Sequence, residues 1–177
     1  GMKSDLTIVR MGENQFRVIT GVADGPRDKK WFTQHLPEDG SVQLIDQTTE
    51  ICTIGVWGPR ARDIIQSLTD ADMSHKEFKF GWARDINLGD IKVWAFRISY
   101  VGDLGWEIYI PMKHGQAVWD LIAEAGKPHG IVPAGIGVYG TTGRLEKGYR
   151  LFGAELEGEY TPIEAGLMRP KVKSQDF

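Results

Sequence analysis

Two runs of β-forming residues open the chain. Leu6-Thr7-Ile8-Val9-Arg10-Met11 and Gln15-Phe16-Arg17-Val18-Ile19-Thr20 flank Gly12-Glu13-Asn14. Branched and aromatic side chains on either side of a short polar, glycine-containing stretch predict a hairpin. Residues 24–36 then read as a helix. Pro26 sits near its first turn, where a missing N–H is tolerated, and Trp31, Phe32 and Leu36 are its apolar positions. Residues 42–46 and 51–57 read as strands. Gly58-Pro59 interrupts the chain, and Ala61, Ile64, Ile65 and Leu68 follow at i, i+3, i+4 and i+7, the stripe of a short amphipathic helix.

Further strands are predicted over 82–88 and 91–99, joined around Gly89-Asp90. Tyr100-Val101-Gly102-Asp103-Leu104-Gly105 reads as a loop. In Trp106-Glu107-Ile108-Tyr109-Ile110 the period of two puts Trp106, Ile108 and Ile110 on one face and Glu107 with Tyr109 on the other. Ala117, Val118, Leu121, Ile122 and Ala125 mark a second amphipathic helix over 113–125, stopped by Gly126-Lys127-Pro128. Glycines at 135, 137, 140 and 143 oppose a strong helix over 135–146 and leave that stretch undecided. Adjacent strands with interspersed helices predict an α+β fold, mainly antiparallel sheet with flanking helices, and residues 2–177 as one domain.

Composition narrows the function. Six Trp, seven Phe and five Tyr in 177 residues supply apolar surface enough to offset chain entropy, which argues against disorder. No apolar run approaches the roughly 18 residues of a membrane span, and the start lacks a signal-peptide core. A net charge of −3 argues against a nucleic-acid partner. The single cysteine, Cys52, excludes an internal disulfide and a Cys-based zinc site; it lies in an apolar strand and reads as a buried structural thiol. Together these place the chain in a reducing, cytoplasmic setting with no membrane partner. His35, His75, His114 and His129 are scattered among polar neighbours and read as surface residues, so no metal is expected. Walker, Rossmann, HExxH and GxSxG signatures do not occur.

Chemistry concentrates in two segments. In Arg97-Ile98-Ser99-Tyr100-Val101-Gly102-Asp103-Leu104-Gly105-Trp106-Glu107-Ile108-Tyr109, a glycine-bracketed turn delivers an aromatic and a carboxylate to one strand start. The second, Arg144-Leu145-Glu146-Lys147-Gly148-Tyr149-Arg150-Leu151-Phe152-Gly153-Ala154-Glu155-Leu156, leads into Thr161-Pro162-Ile163-Glu164-Ala165-Gly166-Leu167. Its density of charge reads as an ion-pair lattice, either purely structural or built around a ligand.

Both segments resemble the folate-binding domain of the glycine-cleavage T-protein (aminomethyltransferase) family. Its motifs run R-x-x-Y-T-G-E-x-G-x-E-I/L-Y, then R-L-E-x-G, G-x-E/D-L and T-P-x-E-A-G-L. Val56-Trp57-Gly58-Pro59-Arg60-Ala61 is similar to the family's L-Q-G-P-K-A, and Asp5-Leu6-Thr7-Ile8-Val9-Arg10 to its D-D-L-I-V. The matches run in order from about residue 4 to 177. Glu146-Lys147-Gly148-Tyr149-Arg150 most resembles the folate domains of dimethylglycine and sarcosine dehydrogenases, and lacks the cysteine of the iron–sulfur-assembly branch.

The resemblance implies tetrahydrofolate as cofactor and transfer of a one-carbon unit that leaves 5,10-methylenetetrahydrofolate and a free amine. The unit arrives from a lipoyl-protein or from a flavin-domain partner that oxidises an N-methyl amine. By the same resemblance Glu107 holds the pterin, Tyr100 packs on it, and Tyr109 and Arg144 belong to the folate-binding set. Arg144 with Glu146, and Arg97, are expected to brace the pocket wall by ion pairing. Asp5 is the catalytic candidate, because the first aspartate of the family pair is Ser4 here; a family arginine is likewise Gly140. These departures keep open a non-catalytic folate-binding or regulatory module, and a transferase of a demethylated group such as a sulfonium demethylase. Against the family pattern the chain reads as a partial domain, without N-terminal strands or a C-terminal barrel, stopping at Asp176-Phe177 within a D-F-I/L-G-K motif; Lys171-Val172-Lys173 reads as a solvated strand end. Strand edges left bare in this way are an incentive for a homodimer.

Overall fold

The computed structural model describes residues 1–167; the Lys171-Val172-Lys173 and Asp176-Phe177 readings lie outside them. Two compact units emerge from the chain's contacts, Gly1–Ile45 with Arg150–Phe177, and Asp46–Tyr149. No change of composition at residues 45 or 150 signals that division in the sequence.

The first unit begins with the predicted hairpin. β1 (Leu6–Arg10) and β2 (Phe16–Thr20) pair antiparallel, with Leu6 opposite Thr20 and Arg10 opposite Phe16. Arg10 closes the turn, its Nε donating to Gly12 O at 3.1 Å and its Nη2 to Glu13 O at 3.1 Å. α1 (Gly25–Gln34) follows, with Pro26 in its first turn as predicted. Its packing differs from the prediction. Trp31 is 55% exposed, with His35 stacked on its ring at 4.1 Å, and the buried residue of the helix is Asp28.

Among the described residues of this unit, only Asp28 and Leu156 are fully buried. A hydrogen-bonded carboxylate therefore takes the central position. Ser4 Oγ donates to Asp28 Oδ2 at 3.0 Å, and Thr20 Oγ1 donates to the same oxygen. Arg27 covers Oδ1 with Nε at 3.1 Å and Nη2 at 3.0 Å. One side chain thus ties residue 4, the end of β2 and the start of α1 together. Burial pushes the Asp28 carboxyl up, but hydrogen bonds from Thr20, Arg27 and Ser4 outweigh it and hold the carboxyl below its ordinary value. A folded value below the unfolded one gives stability that is present above about pH 4 and is lost as pH falls through the folded value. Asp28→Ala is expected to destabilise this unit by about 1–3 kcal/mol, because several donors lose one acceptor. Melting curves between pH 2 and 7 should also show a flatter acid limb for the variant; an unchanged acid limb would refute the assignment.

Residues 41–47 form no strand, contrary to the prediction for 42–46, and Val42, Leu44 and Ile45 are exposed. A strand needs a neighbour for its N–H and C=O groups. The strand that follows in sequence takes a different partner.

That strand, β3 (Ile51–Trp57), opens the sheet of the second unit, whose order is β3-β6-β5-β4 and whose pairings are all antiparallel. β4 (Ala83–Leu88) and β5 (Ile91–Phe96) join through Gly89-Asp90, where Gly89 adopts a left-handed φ of 55°. β6 (Gly105–Pro111) lies between β5 and β3, with Trp57 opposite Gly105 and Cys52 opposite Ile110. The predicted α+β, mainly antiparallel class is what the chain adopts. One sheet face, carrying Val56, Val93, Ala95, Trp106, Ile108 and Ile110, joins a single core with α2 (Ala61–Gln66) and α3 (Gly115–Gly126). The helices contribute the predicted stripes, Ala61, Ile64 and Ile65 from α2 and Val118 and Ile122 from α3. Cys52 is half-buried against this core.

The undecided glycine-rich stretch is helical. Residues Val138–Gly143 form a wide π-helical turn that runs into the short α4 (Arg144–Lys147). Gly143 is required by close approach, since a Cβ there would lie 2.7 Å from Val101 Cγ1. Gly148, in a left-handed conformation, ends the helix. No helix among the described residues is long and apolar enough to cross a membrane.

Candidate functional site

The alternation along β6 puts Glu107 and Tyr109 on the face opposite the core, as the sequence predicts. Glu107 lies between Gly55 of β3 and Phe96 of β5, each directly opposite it in register. It is half-buried, and the Tyr109 hydroxyl donates to its Oε2 at 2.5 Å. Tyr109 is itself buried, its ring packed edge-on against Trp94 at 4.9 Å. Burial pushes the Glu107 carboxyl above the ordinary carboxylate range, and the Tyr109 hydrogen bond offsets this only in part. The second oxygen, Oε1, has no hydrogen-bond partner among the described residues. The site therefore presents a desolvated carboxylate with one oxygen held and one available for N–H donors.

Aromatic side chains build out from this carboxylate. A Cβ on Gly55 would lie 2.3 Å from Trp57 Cη2, so the indole occupies the space beside Glu107 that any other residue at 55 would fill. Trp57 stacks on Tyr139 at 5.3 Å, Tyr139 meets Tyr100 at 5.1 Å, and Tyr100 stacks on Tyr149 at 5.9 Å. The row joins the end of β3, the π-turn, the glycine-bracketed loop and the end of α4. Tyr100 and the end of the Arg144 segment, far apart in sequence, thus meet through the Tyr100–Tyr149 stack. Gly55→Ala is expected to expel the indole at a cost of about 1–3 kcal/mol. A changed Trp emission maximum alongside the lower melting temperature would show it, and an unperturbed emission spectrum would contradict this placement.

Arg144 is buried, but not in the expected way. Its Nε donates to Gly140 O at 2.6 Å and its Nη1 to Tyr149 O at 3.0 Å. Glu146 is exposed and is not its ion-pair partner. The guanidinium clamps backbone on either side of α4 and so fixes where Tyr149 enters the row. Trp57 and Tyr139 are not singled out by the sequence. A glycine inside an apolar strand, two residues before a tryptophan, is a signal for Trp57, and no local pattern points to Tyr139.

Asp5 lies in the other unit, one residue before β1; the residue is exposed, and partial desolvation by its surroundings pushes its carboxyl up. Ser4 is committed to Asp28. Among the described residues no group of His, Cys, Asp and Glu is arranged to hold a metal.

Compared with known families, residues 1–173 match the GCVT N-terminal domain. The chain belongs to that family. It is 36% identical over 167 residues to an aminomethyltransferase of Geobacillus sp. (strain WCH70), covering 94% of this chain and 45% of that protein. Over 166 residues it is 36% identical to the human mitochondrial dimethylglycine dehydrogenase, covering 93% of this chain and 19% of the relative. The chain thus spans less than half the length of these curated relatives. A heterotetrameric sarcosine oxidase from Corynebacterium sp. U-96 shares its fold, with a TM-score of 0.56 and 18% identity over 76% of this chain and 66% of that one. The GCVT N-terminal domain match takes in both units, and with them the Asp5 segment and the Glu107 face.

Proposed function

We propose that this chain binds tetrahydrofolate against Glu107 and serves one-carbon (aminomethyl or methylene) transfer that yields 5,10-methylenetetrahydrofolate, in glycine cleavage or methylamine catabolism. The observation that carries this reading is Glu107 itself: a half-buried carboxylate, one oxygen fixed by Tyr109 and the other without a partner among the described residues, beside a row of stacked aromatics. A pterin edge offers adjacent N–H donors to a carboxylate and a flat face to aromatic rings, so the donor set fits. Tetrahydrofolate supplies the nitrogens that take the one-carbon unit. Glu107 fixes the ring edge, and its ionised form is the one that accepts those N–H groups. Affinity is therefore expected to fall as pH drops through its raised pKa. Tyr109 holds the carboxylate's orientation, Tyr100 contributes a face for packing, and Arg144 fixes the segment that carries Tyr149. Asp5 is the candidate for moving a proton at the reacting nitrogens. The one-carbon unit comes from a lipoyl-protein or a flavin-containing partner.

Calorimetric titration of the chain with 5-formyltetrahydrofolate tests this. Micromolar binding is expected, and no binding by the folded chain overturns the reading. Ser4 favours a second reading, a binding module without transfer, because it brings no carboxylate and its hydroxyl is engaged by Asp28. Formation of 5,10-methylenetetrahydrofolate from formaldehyde and tetrahydrofolate separates the two. Acceleration by the chain that is lost in Asp5→Asn supports transfer, and binding without any acceleration supports the module.

A further inference from the structure

The Asp46–Tyr149 unit contains a cavity of about 300 Å³, lined by neither Glu107 nor Tyr109. Its walls are apolar and aromatic, from Phe80, Ile98, Leu104 and Tyr149, with Arg97 and Ser99 as buried polar residues. Both of these are in an unusual state. Arg97 is only 8% exposed, yet among the described residues no carboxylate pairs with it. Among the described residues its side-chain hydrogen bonds both leave from Nη1, to Phe78 O at 2.5 Å and to His75 Nδ1 at 3.0 Å. The Nε and Nη2 edge of the guanidinium, the pair of parallel N–H groups that carboxylates take in bidentate fashion, has no acceptor among the described residues. Burial, and then the like charge of Arg62, pull the Arg97 pKa down, opposite to the effect of an anionic partner. Ser99 is 9% exposed and its buried hydroxyl has no partner among the described residues. The Ser99 hydroxyl, buried without a partner among the described residues, is costly unless an acceptor reaches it, and the Arg97 edge beside it, its guanidinium backed by the Trp106 ring, is open to the cavity for the same acceptor.

We propose that this cavity is a binding site for a small carboxylate with an apolar body, its oxygens taking the Arg97 Nε and Nη2 edge and the Ser99 hydroxyl. The charge balance selects the class. Arg97, the one cation of the described lining, is buried, whereas Asp103, its one anion, is exposed and screened by solvent, so the inner end of the site is positive and suits a single carboxylate. Phe80 and Tyr149 offer rings to the apolar part.

The site shares Tyr149 with the aromatic row beside Glu107, but its test uses no folate, so its failure is distinguishable from failure of the folate reading. Benzoate is titrated into the isotopically labelled chain, with benzamide as the uncharged control of the same shape, and NMR shifts of the Arg97 side-chain Nε–H and of the Gly102 and Gly105 amides are followed. Benzoate should shift these signals saturably and at least tenfold more tightly than benzamide. Ser99→Ala removes a hydroxyl that has no partner among the described residues, so the fold is kept, and it should weaken benzoate several-fold. Equal binding of benzoate and benzamide, no shift at these positions, or unchanged affinity in Ser99→Ala would each overturn the proposal.

Discussion

Glu107→Gln is expected to weaken 5-formyltetrahydrofolate binding by about 1.5–3 kcal/mol, roughly a 10- to 150-fold loss of affinity. The amide keeps the side chain's shape, and its oxygen still accepts from the Tyr109 hydroxyl. What changes is the other half of the group. An oxygen that accepted an N–H becomes an NH₂ that faces a donor, and the charge that strengthened the bond is gone. The same substitution should stabilise the unliganded protein near neutral pH. Glu107 has a folded pKa above its unfolded value, so its favourable contribution is complete below the unfolded pKa and is lost as pH rises through the folded one. Glutamine has no charged form, and the gap in melting temperature between variant and parent should widen in the variant's favour over that rise. Tighter melting with weaker binding is a combination that misfolding does not produce. Folate affinity equal to the parent's would remove Glu107 from the site.

Trp106→Ala is expected to cost about 3–5 kcal/mol of stability, the usual range for deleting a buried indole. Trp106 is fully buried and is the neighbour of Glu107 on β6, pointing to the opposite side of the sheet. Its ring meets Phe78 edge-on at 5.9 Å. Two guanidiniums lie over it, Arg97 at 5.7 Å and Arg62 at 5.9 Å, so truncation removes cation–π attraction as well as packing. Its Nε1 has no hydrogen-bond partner among the described residues. Trp106→Phe should therefore cost much less than Trp106→Ala, because the ring contact survives and an unsatisfied N–H disappears. Urea melts of the two variants make the comparison. A loss below about 1 kcal/mol for Trp106→Ala would mean that the sheet does not pack through this residue.

These two neighbours show how far side-chain alternation reaches into the candidate site. A period of two assigns Trp106 to the core and Glu107 to the other face, and the backbone register keeps both assignments. Alternation says nothing of what faces Glu107 from the next strands. That Gly55 leaves room for the Trp57 indole, and that Trp57, Tyr139, Tyr100 and Tyr149 line up, depends on cross-strand register and on the π-turn. The glycines of that turn argue locally against helix, whereas the space beside Val101 is what requires one of them. Arg144 follows the same course: its motif suggests an ion pair with Glu146, and the fold directs its Nε and Nη1 to two backbone carbonyls instead.

Sequence alone determined the α+β class, the β1–β2 hairpin, the stripes of α2 and α3 and the two faces of β6. Each follows from side-chain periods of about 2 or 3.6 residues acting within a single element. Tertiary structure decided the rest. It divided the chain into two units, denied residues 42–46 a strand partner, and buried Asp28 where the apolar residues of α1 were expected. For the last two the physical reason is the need for partners distant in the chain. A strand exists only with a neighbour, and a charge is buried only where donors meet it; for Asp28 two of those donors come from residues 24 and 8 positions away in the chain, Ser4 and Thr20.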